Sequence, residues 1–547
     1  MAELVLGPVL RYVGETEATV WLETDSPCEV EVLGRRIRTF AVEGHHYAIV
    51  VIQGLDPGAT HEYRVTLNGV PCWPPVDSDF PASVIRTLHR EEPVRFVFGS
   101  CRVSLPHEPP YTLTKDEDDR GREIDALYSM ALRMRDQPHE RWPHALLLLG
   151  DQVYADEVSP ATLEFIRGRR DVEQPPGEEI ADFEEYTRLY LEAWSDPNLR
   201  WLLSTVSTAM IFDDHDVHDD WNTSIDWLEA QRAKPWWDER IVGGLMSYWI
   251  YQHLGNLSPT ELKNNGLLAR VRRAPDGGPM LREYAYRADR EVQGSRWTYY
   301  RDLGRTRLVV MDSRAGRILD NGRRCMVDDD EWRYIEDCAT GDFDHLLLAS
   351  TLPILLAPGM HHMEAWNEAV CAGAWGGAAA KLGEKLRQGL DLEHWAAFGE
   401  SFERMAGLLR EVGAGDRGRA PASIVALSGD VHHAYLADVA FRRGSGVESA
   451  VYQAVCSPIR NPLDSRERRF IQAAASGPTA MVARRLARAA GVADPDIRWR
   501  ITQKPTFDNQ VATLELDGRG ASLRIERSGV NADGHPVLET ALERQLA

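Results

Sequence analysis

No stretch of this 547-residue chain runs to 18 consecutive apolar residues, so no segment reads as a membrane-spanning helix. Basic residues are few beside acids. Lys and Arg number 62 against 84 Asp and Glu, a formal net charge of −22. That balance argues against a broad nucleic-acid or anionic-membrane surface. Cysteine is sparse as well. The seven (28, 72, 101, 325, 338, 371 and 456) contain no Cys-x-x-Cys pair, which excludes a zinc ribbon. The opening residues, Met1 to Arg11, lack a basic leader region and a twin arginine, so the expected location is cytoplasmic. No internal repeat is visible.

What the chain does have is an unusual concentration of acid. Asp213-Asp214-His215-Asp216-Val217-His218-Asp219-Asp220 packs five carboxylates and two imidazoles into eight residues. Packing alone does not ask for this, because a buried carboxylate must be paired or bound to a cation. Two apolar runs end in similar chemistry: Leu146 to Leu149 leads into Gly150-Asp151-Gln152-Val153-Tyr154, and Ile424 to Leu427 into Ser428-Gly429-Asp430-Val431-His432-His433. A third β-rich run, Val94 to Phe98, delivers Gly99-Ser100-Cys101. In open α/β sheets, sites form where strands end. Oxygen, nitrogen and thiolate donors converging there suit a metal centre, and so many carboxylates suit more than one ion.

Taken together and in this order, Ser100-Cys101, Gly150-Asp151-x-x-Tyr154, Asp213-Asp214-His215-Asp216 and Ser428-Gly429-Asp430-Val431-His432 resemble the alkaline phosphatase D family, a branch of the calcineurin-like metallophosphoesterases. The resemblance covers roughly residues 1–460. It implies that Asp151 bridges two metals and that Cys101 and Tyr154 bind ferric iron. It implies that Asp214 is a ligand to the second metal and that His215 faces substrate. Asp430 and His432 match the two ligands of the last motif. The family often follows Asp-Asp-His-Glu with Asn, whereas Asp219 and Asp220 stand here. Most metallophosphoesterases keep a ligand His at the end of a strand matching His345 to Ser350; this chain has Ser350-Thr351 there. The implied cofactors are Fe3+ and Ca2+, with Mg2+, Mn2+ or Zn2+ as the alternative second ion. A metal lowers the pKa of bound water toward ~7, so the implied reaction is hydrolysis of phosphate monoesters or diesters by metal-activated hydroxide. His215 would stabilise charge or protonate the leaving oxygen. The partner is then a small phosphate ester, with no nucleic-acid partner and an oligomeric state that the sequence leaves open.

Each of these residues also has an ordinary reading. A Gly-Asp after a strand is usually a turn. Asp213 and Asp216 suit the cap or first turn of a helix. Cys101 alone reads as a small core residue. His218 and His433 suit outer partners of a metal site better than ligands. Arg314, in Asp312-Ser313-Arg314, is placed either to grip a phosphate oxygen or to pair with Asp312 as scaffold. A non-catalytic binding or scaffold protein on a degenerate phosphatase fold stays open as the second functional class. So does another phosphoric ester, such as a phospholipid head group.

Length exceeds what one core holds. The expected fold is α/β, a metallophosphoesterase-type β-sandwich core flanked by helices, preceded by a fibronectin type III-like all-β domain at 1–90. In that domain Leu55 to Val65 suggests a strand corner with Tyr63 as its tyrosine. The catalytic domain is expected over 94–460, with helical insertions at about 160–205, 224–265 and 360–415. The last is read as a lid or hairpin, with His361-His362 in a surface loop. The extension 461–547 is expected to hold a helix and a β-hairpin that extends one of the sheets.

Overall fold

A computed structural model describes residues 1–292, 294–319 and 322–547. The uninterrupted apolar runs become strands buried on both faces, as parallel strands covered by helices must be. Val94–Gly99, Ala145–Leu149 and Ser207–Ile211 lie side by side and parallel. On the other flank of Val94–Gly99 the antiparallel strands Gln510–Asp517, Gly520–Val530 and Pro536–Gln545 complete a six-stranded sheet. The expected C-terminal hairpin thus joins the sheet that carries Cys101 and Asp151.

A seven-stranded sheet faces it. Thr306–Met311, His345–Ser350, Ser423–Ser428 and Ala450–Val455 run parallel. Tyr299–Leu303 pairs antiparallel at one edge, and Tyr435–Ala440 and Arg498–Ile501 at the other. Side-chain alternation divides each strand between two cores. Phe96, Phe98, Leu147, Leu149, Leu308, Val310, Leu347 and Leu427 share the core between the sheets. Leu146, Leu148, Val309, Met311, Leu346 and Leu348 point outward to the helices.

The first 86 residues are all β. One four-stranded sheet holds Leu4–Val13, Glu17–Thr24, His45–Gln53 and Phe40–Val42, and another Arg35–Arg38, Glu29–Val32, Val65–Leu67 and Val70–Trp73. Val20, Leu22, Val30, Val32, Val50 and Val65 form the core they share. Tyr63 departs from the expected corner, because its hydroxyl donates to the Ser204 carbonyl at 2.6 Å in a helix of the following region. Arg11 is buried in the same way, donating to the carbonyls of Gln252 (2.7 Å) and Tyr251 (3.4 Å).

His45 is another link between the two regions. Its ring nitrogens lie 2.8 Å from Glu23 and 2.9 Å from Glu184. Burial alone would lower its pKa, but the two carboxylates outweigh burial and raise it to about 9. The folded value lies above the unfolded one, so the stabilisation is full below about 6.5 and is lost as pH rises through about 9. The melting temperature is therefore expected to fall between pH 7 and pH 9.5. His45→Gln, followed by thermal unfolding across that range, is expected to flatten the dependence.

The segments between strands are helical: Pro160–Arg169, Phe183–Trp194 and Pro197–Thr205, then Ile225–Arg232 and Trp237–Ser247. Pro358–Cys371, Gly377–Gly389 and Gly399–Ala414 follow, so the expected insertion at 360–415 is helical. His361 and His362 lie on the first of these three. His361 is buried against Phe402 and Trp499 (ring centroids 4.7 and 4.6 Å), which corrects the surface-loop expectation. Among the described residues no helix is long and apolar enough to cross a membrane.

Candidate metal centre

Four strand tips crowd together where the parallel strands end. At Gly150, φ is +90°, and a Cβ there would stand 2.5 Å from the Cβ of Asp213. At Gly429 a Cβ would lie 2.1 Å from Ser100 Oγ. Only glycine allows these approaches. The chemistry-bearing residues beside them also adopt left-handed backbone: Cys101 (φ 55°), Asp151 (48°), Asp430 (65°) and His432 (51°). Such conformations cost on the order of 1–3 kcal/mol each and concentrate at functional sites.

The tips bring donor atoms of Cys101, Asp151 and His432 within 4.8 Å of one another, and likewise those of Asp151, Asp213 and Asp214. Asp151 belongs to both groups. The Tyr154 hydroxyl lies 3.5 Å from Asp151 Oδ2 and accepts from Asn461 Nδ2 at 3.2 Å. Ser100 Oγ accepts from the Asp430 amide at 3.0 Å and ties the first tip to the last. Asp430 belongs to neither donor group; its Oδ1 lies 3.8 Å from Arg314 Nη2.

These residues fit a cation. Asp151 Oδ1, Asp213 Oδ2 and His432 Nδ1 are buried and have no hydrogen-bond partner. Burial first, then neighbouring carboxylates, hold Asp151 and Asp213 well above the usual carboxylate range, and Arg314 only partly offsets this at Asp213. Burial and Asp151 also push the Cys101 thiol and the Tyr154 phenol well up. Burial pulls His432 down to about 3, a neutral imidazole with a free lone pair. Unpaired oxygens, a thiol and a neutral imidazole facing one another are destabilising by themselves and become donors around a positive ion.

His215 stands at the open side of this cluster, a quarter exposed. Its Nδ1 lies 3.0 Å from both carboxylate oxygens of Asp156. Asp156 also accepts from the Asp219 amide at 2.6 Å. Burial would lower the His215 pKa, but Asp156, Asp214 and Asp151 raise it well above its ordinary value. Its Nε2 lies 3.7 Å from Asp219 Oδ1. Asp219 is largely exposed, and the Asp220 amide donates to Asp214 Oδ2 at 3.1 Å.

Other sequence expectations change. Asp213 and Asp216 begin no helix; they close a turn in which the Asp213 amide donates to Asp216 Oδ2 at 2.8 Å. Arg314 has no face open to a phosphate. It is fully buried, with Nε on Asp213, Nη1 2.5 Å from Glu393 Oε1 and Nη2 3.1 Å from Asp214 Oδ1. Asp312 does not pair with the guanidinium but accepts from the backbone amides of Arg314, Ala315 and Gly316. His433 turns away, its Nδ1 2.6 Å from the Val431 carbonyl, and His218 packs against Trp227 and Trp237.

Sequence reasoning missed Asp156, Asn461 and the segment Asp391-Leu392-Glu393-His394 with its partners Glu364 and Arg317. Glu393 bridges Arg314 and Arg317, the latter at 2.9 Å. His394 Nδ1 lies 2.6 Å from Glu364 Oε1. The one available signal was Asp-x-Glu-His in an otherwise Ala- and Gly-rich insertion, with Glu364 two helices earlier.

Comparison with known proteins bears on the fold that carries these residues. Residues 126–276 match the model of the PhoD-like phosphatase family, and residues 1–85 that of a domain of unknown function, DUF7800. The solved structure of PhoD superposes with a TM-score of 0.60 at 13% identity, covering 99% of this chain and 92% of that one. A maltogenic amylase from S. marinus reaches a TM-score of only 0.17 at 10% identity, over 97% of this chain and 80% of that one, and describes no common fold. No curated protein sequence matches the chain. Residues 126–276 thus carry a PhoD-like phosphatase domain, and the chain over nearly its whole length shares the fold of PhoD.

Proposed function

We propose that the chain hydrolyses small phosphate esters, monoesters or diesters, in a metal-dependent reaction at the four strand tips. The carrying observation is the convergence of Cys101, Asp151 and His432, and of Asp151, Asp213 and Asp214, each within 4.8 Å. Cys101, Asp151, Tyr154 and His432 are the proposed donors to ferric iron, for which thiolate, phenolate and carboxylate are suited. Asp151 extends to a second, divalent ion with Asp214 and Asp430; these oxygens alone would suit calcium. When bound, the ions supply positive charge for the phosphoryl oxygens and a nucleophile from water at neutral pH.

The chain's own residues do the rest. Asp156 fixes His215 through Nδ1, which leaves Nε2 to carry a proton toward the open side of the site. His215 hands that proton to the leaving oxygen. Arg314 balances the buried charge of Asp213 and Asp214 and holds their carboxylates in place, instead of gripping substrate. The domain partition proposed with this reading is an all-β unit at 1–90, the catalytic unit at 94–460 and an extension at 461–547.

Elemental analysis with a substrate panel tests the proposal. The purified protein is expected to contain iron and to show a phenolate-to-metal charge-transfer colour. It is expected to lose activity to a mild chelator and to regain it with a divalent ion. Colourless protein that is fully active with zinc alone would overturn the iron assignment. Activity surviving exhaustive chelation with only iron left would overturn the two-metal reading.

A further inference from the structure

The insertion at 360–415 places a histidine beside Asp430 that no strand-tip motif accounts for. His394 precedes the short helical turn Trp395–Ala397 and is only 6% exposed. Its two nitrogens have different surroundings. Nδ1 is taken by Glu364 Oε1 at 2.6 Å, a carboxylate that is itself 1% exposed. Nε2 is buried and without a hydrogen-bond partner, although it lies 3.3 Å from Asp430 Oδ2. The approach is the contact of an ordinary ion pair, and it also leaves both atoms able to face a common third point. Bonds of ~2.0–2.1 Å at tetrahedral angles put two donor atoms ~3.3 Å apart. The Glu364 contact is the other half of the pattern: a ligating imidazole is normally held through its second nitrogen by a carboxylate, which sets its tautomer.

We infer that His394 Nε2 is a ligand of the second ion beside Asp430, supplied by the insertion and oriented by Glu364. This rests on the two-metal reading above and sharpens it. An imidazole in the donor set disfavours calcium, which takes oxygen, and favours a divalent transition ion such as manganese or zinc. The calcium suggested by Asp151, Asp214 and Asp430 alone gives way to that class. The insertion then has a chemical task. Its Glu393 is bonded to Arg314 and Arg317, which fixes the segment, and the next residue reaches the ion.

The test uses the full chain with its iron in place and manganese as the probe. Equilibrium dialysis measures affinity, and pulsed electron paramagnetic resonance on histidine-15N-labelled protein reads nitrogen bound to manganese. Wild type is expected to take up one manganese per chain in preference to calcium. In His394→Gln, affinity is expected to fall 10- to 100-fold or more, with one nitrogen coupling lost and iron unchanged. Calcium preferred over manganese in the wild type, or a nitrogen signal that His394→Gln leaves intact, overturns the inference. The second outcome would make His394 a residue that only orients Asp430. Should His394→Gln not fold, Glu364→Gln replaces it; a 10- to 100-fold weaker manganese affinity with full iron supports ligation, and an unchanged affinity overturns it. Failure of the underlying reading looks different: no divalent ion of any kind binds beside the iron, in wild type or variant.

Discussion

Asp151→Asn is expected to lower bound metal and hydrolytic rate together, and to raise the melting temperature of the metal-free protein. The two effects have opposite signs for one reason. Asp151 is 1% exposed and sits among Asp213, Asp214 and Asp216, so burial and like charge both disfavour its ionised form. Asparagine keeps the shape and removes the charge, which relieves the metal-free fold. The same charge is what two ions would share, since Asp151 is the residue common to the Cys101–His432 group and the Asp213–Asp214 group. Its loss is expected to cost more than about 10³ in rate, beyond the ~10²–10³ typical of removing one electrostatic donor. Stabilisation by added metal shrinks in parallel, because a ligand that binds only the folded state stabilises in proportion to its affinity. Differential scanning calorimetry with and without metal, beside elemental analysis and rate measurements, checks all three effects. A variant that keeps its metal and loses only rate would show that Asp151 does not bridge.

Residues near one another in sequence made much of this legible. The apolar run Leu146 to Leu149 could only be a strand buried on both faces, and the Gly-Asp that follows could only sit at its end. Three such tips and the acidic run at Asp213 sufficed to anticipate the sandwich and the convergence of Cys101, Asp151 and His432. The C-terminal hairpin was legible for the same reason, from alternation in Val511 to Leu516 and Ala521 to Glu526 about a glycine turn.

What escaped depends on contacts between distant segments. Asp156 lies only five residues beyond Asp151, yet nothing in its neighbourhood shows that it would face His215. Sequence left Arg314 open between phosphate grip and scaffold, because its partner Glu393 comes from an insertion 79 residues away. Buried arginine needs several acids to be tolerated, and sequence order does not reveal which acids arrive. Tyr63 fitted a local corner pattern, but its hydroxyl found Ser204, 141 residues on, because the all-β region packs against helices. The helix with His361 carried too little contrast between faces for its burial to be read from spacing alone.

His215→Ala is expected to leave metal content unchanged and to reduce kcat by roughly 10²–10⁴. Of the residues facing the open side of the site, His215 is the one whose Nδ1 is fixed by a carboxylate outside the donor groups of the iron. Asp156 is held well below the usual carboxylate range, at about 2, by the imidazole beside it against the opposing effect of burial. That pairing, with Asp214 and Asp151 nearby, favours the protonated imidazole and holds it in one orientation, as a proton donor requires. The expected loss therefore depends on the leaving group. An ester of an acidic phenol leaves without help, so the deficit should nearly vanish with it; an alkyl phosphate needs the proton, so the deficit should be full. Asp156→Asn should reproduce the same dependence at smaller size, because the imidazole remains but is no longer held as a cation. Metal loss in His215→Ala would instead make the residue a ligand, together with Asp214 and Asp219, whose donor atoms lie within 4.8 Å of its own and of each other. An equal deficit for both esters would remove the proton-donor role and leave only charge stabilisation.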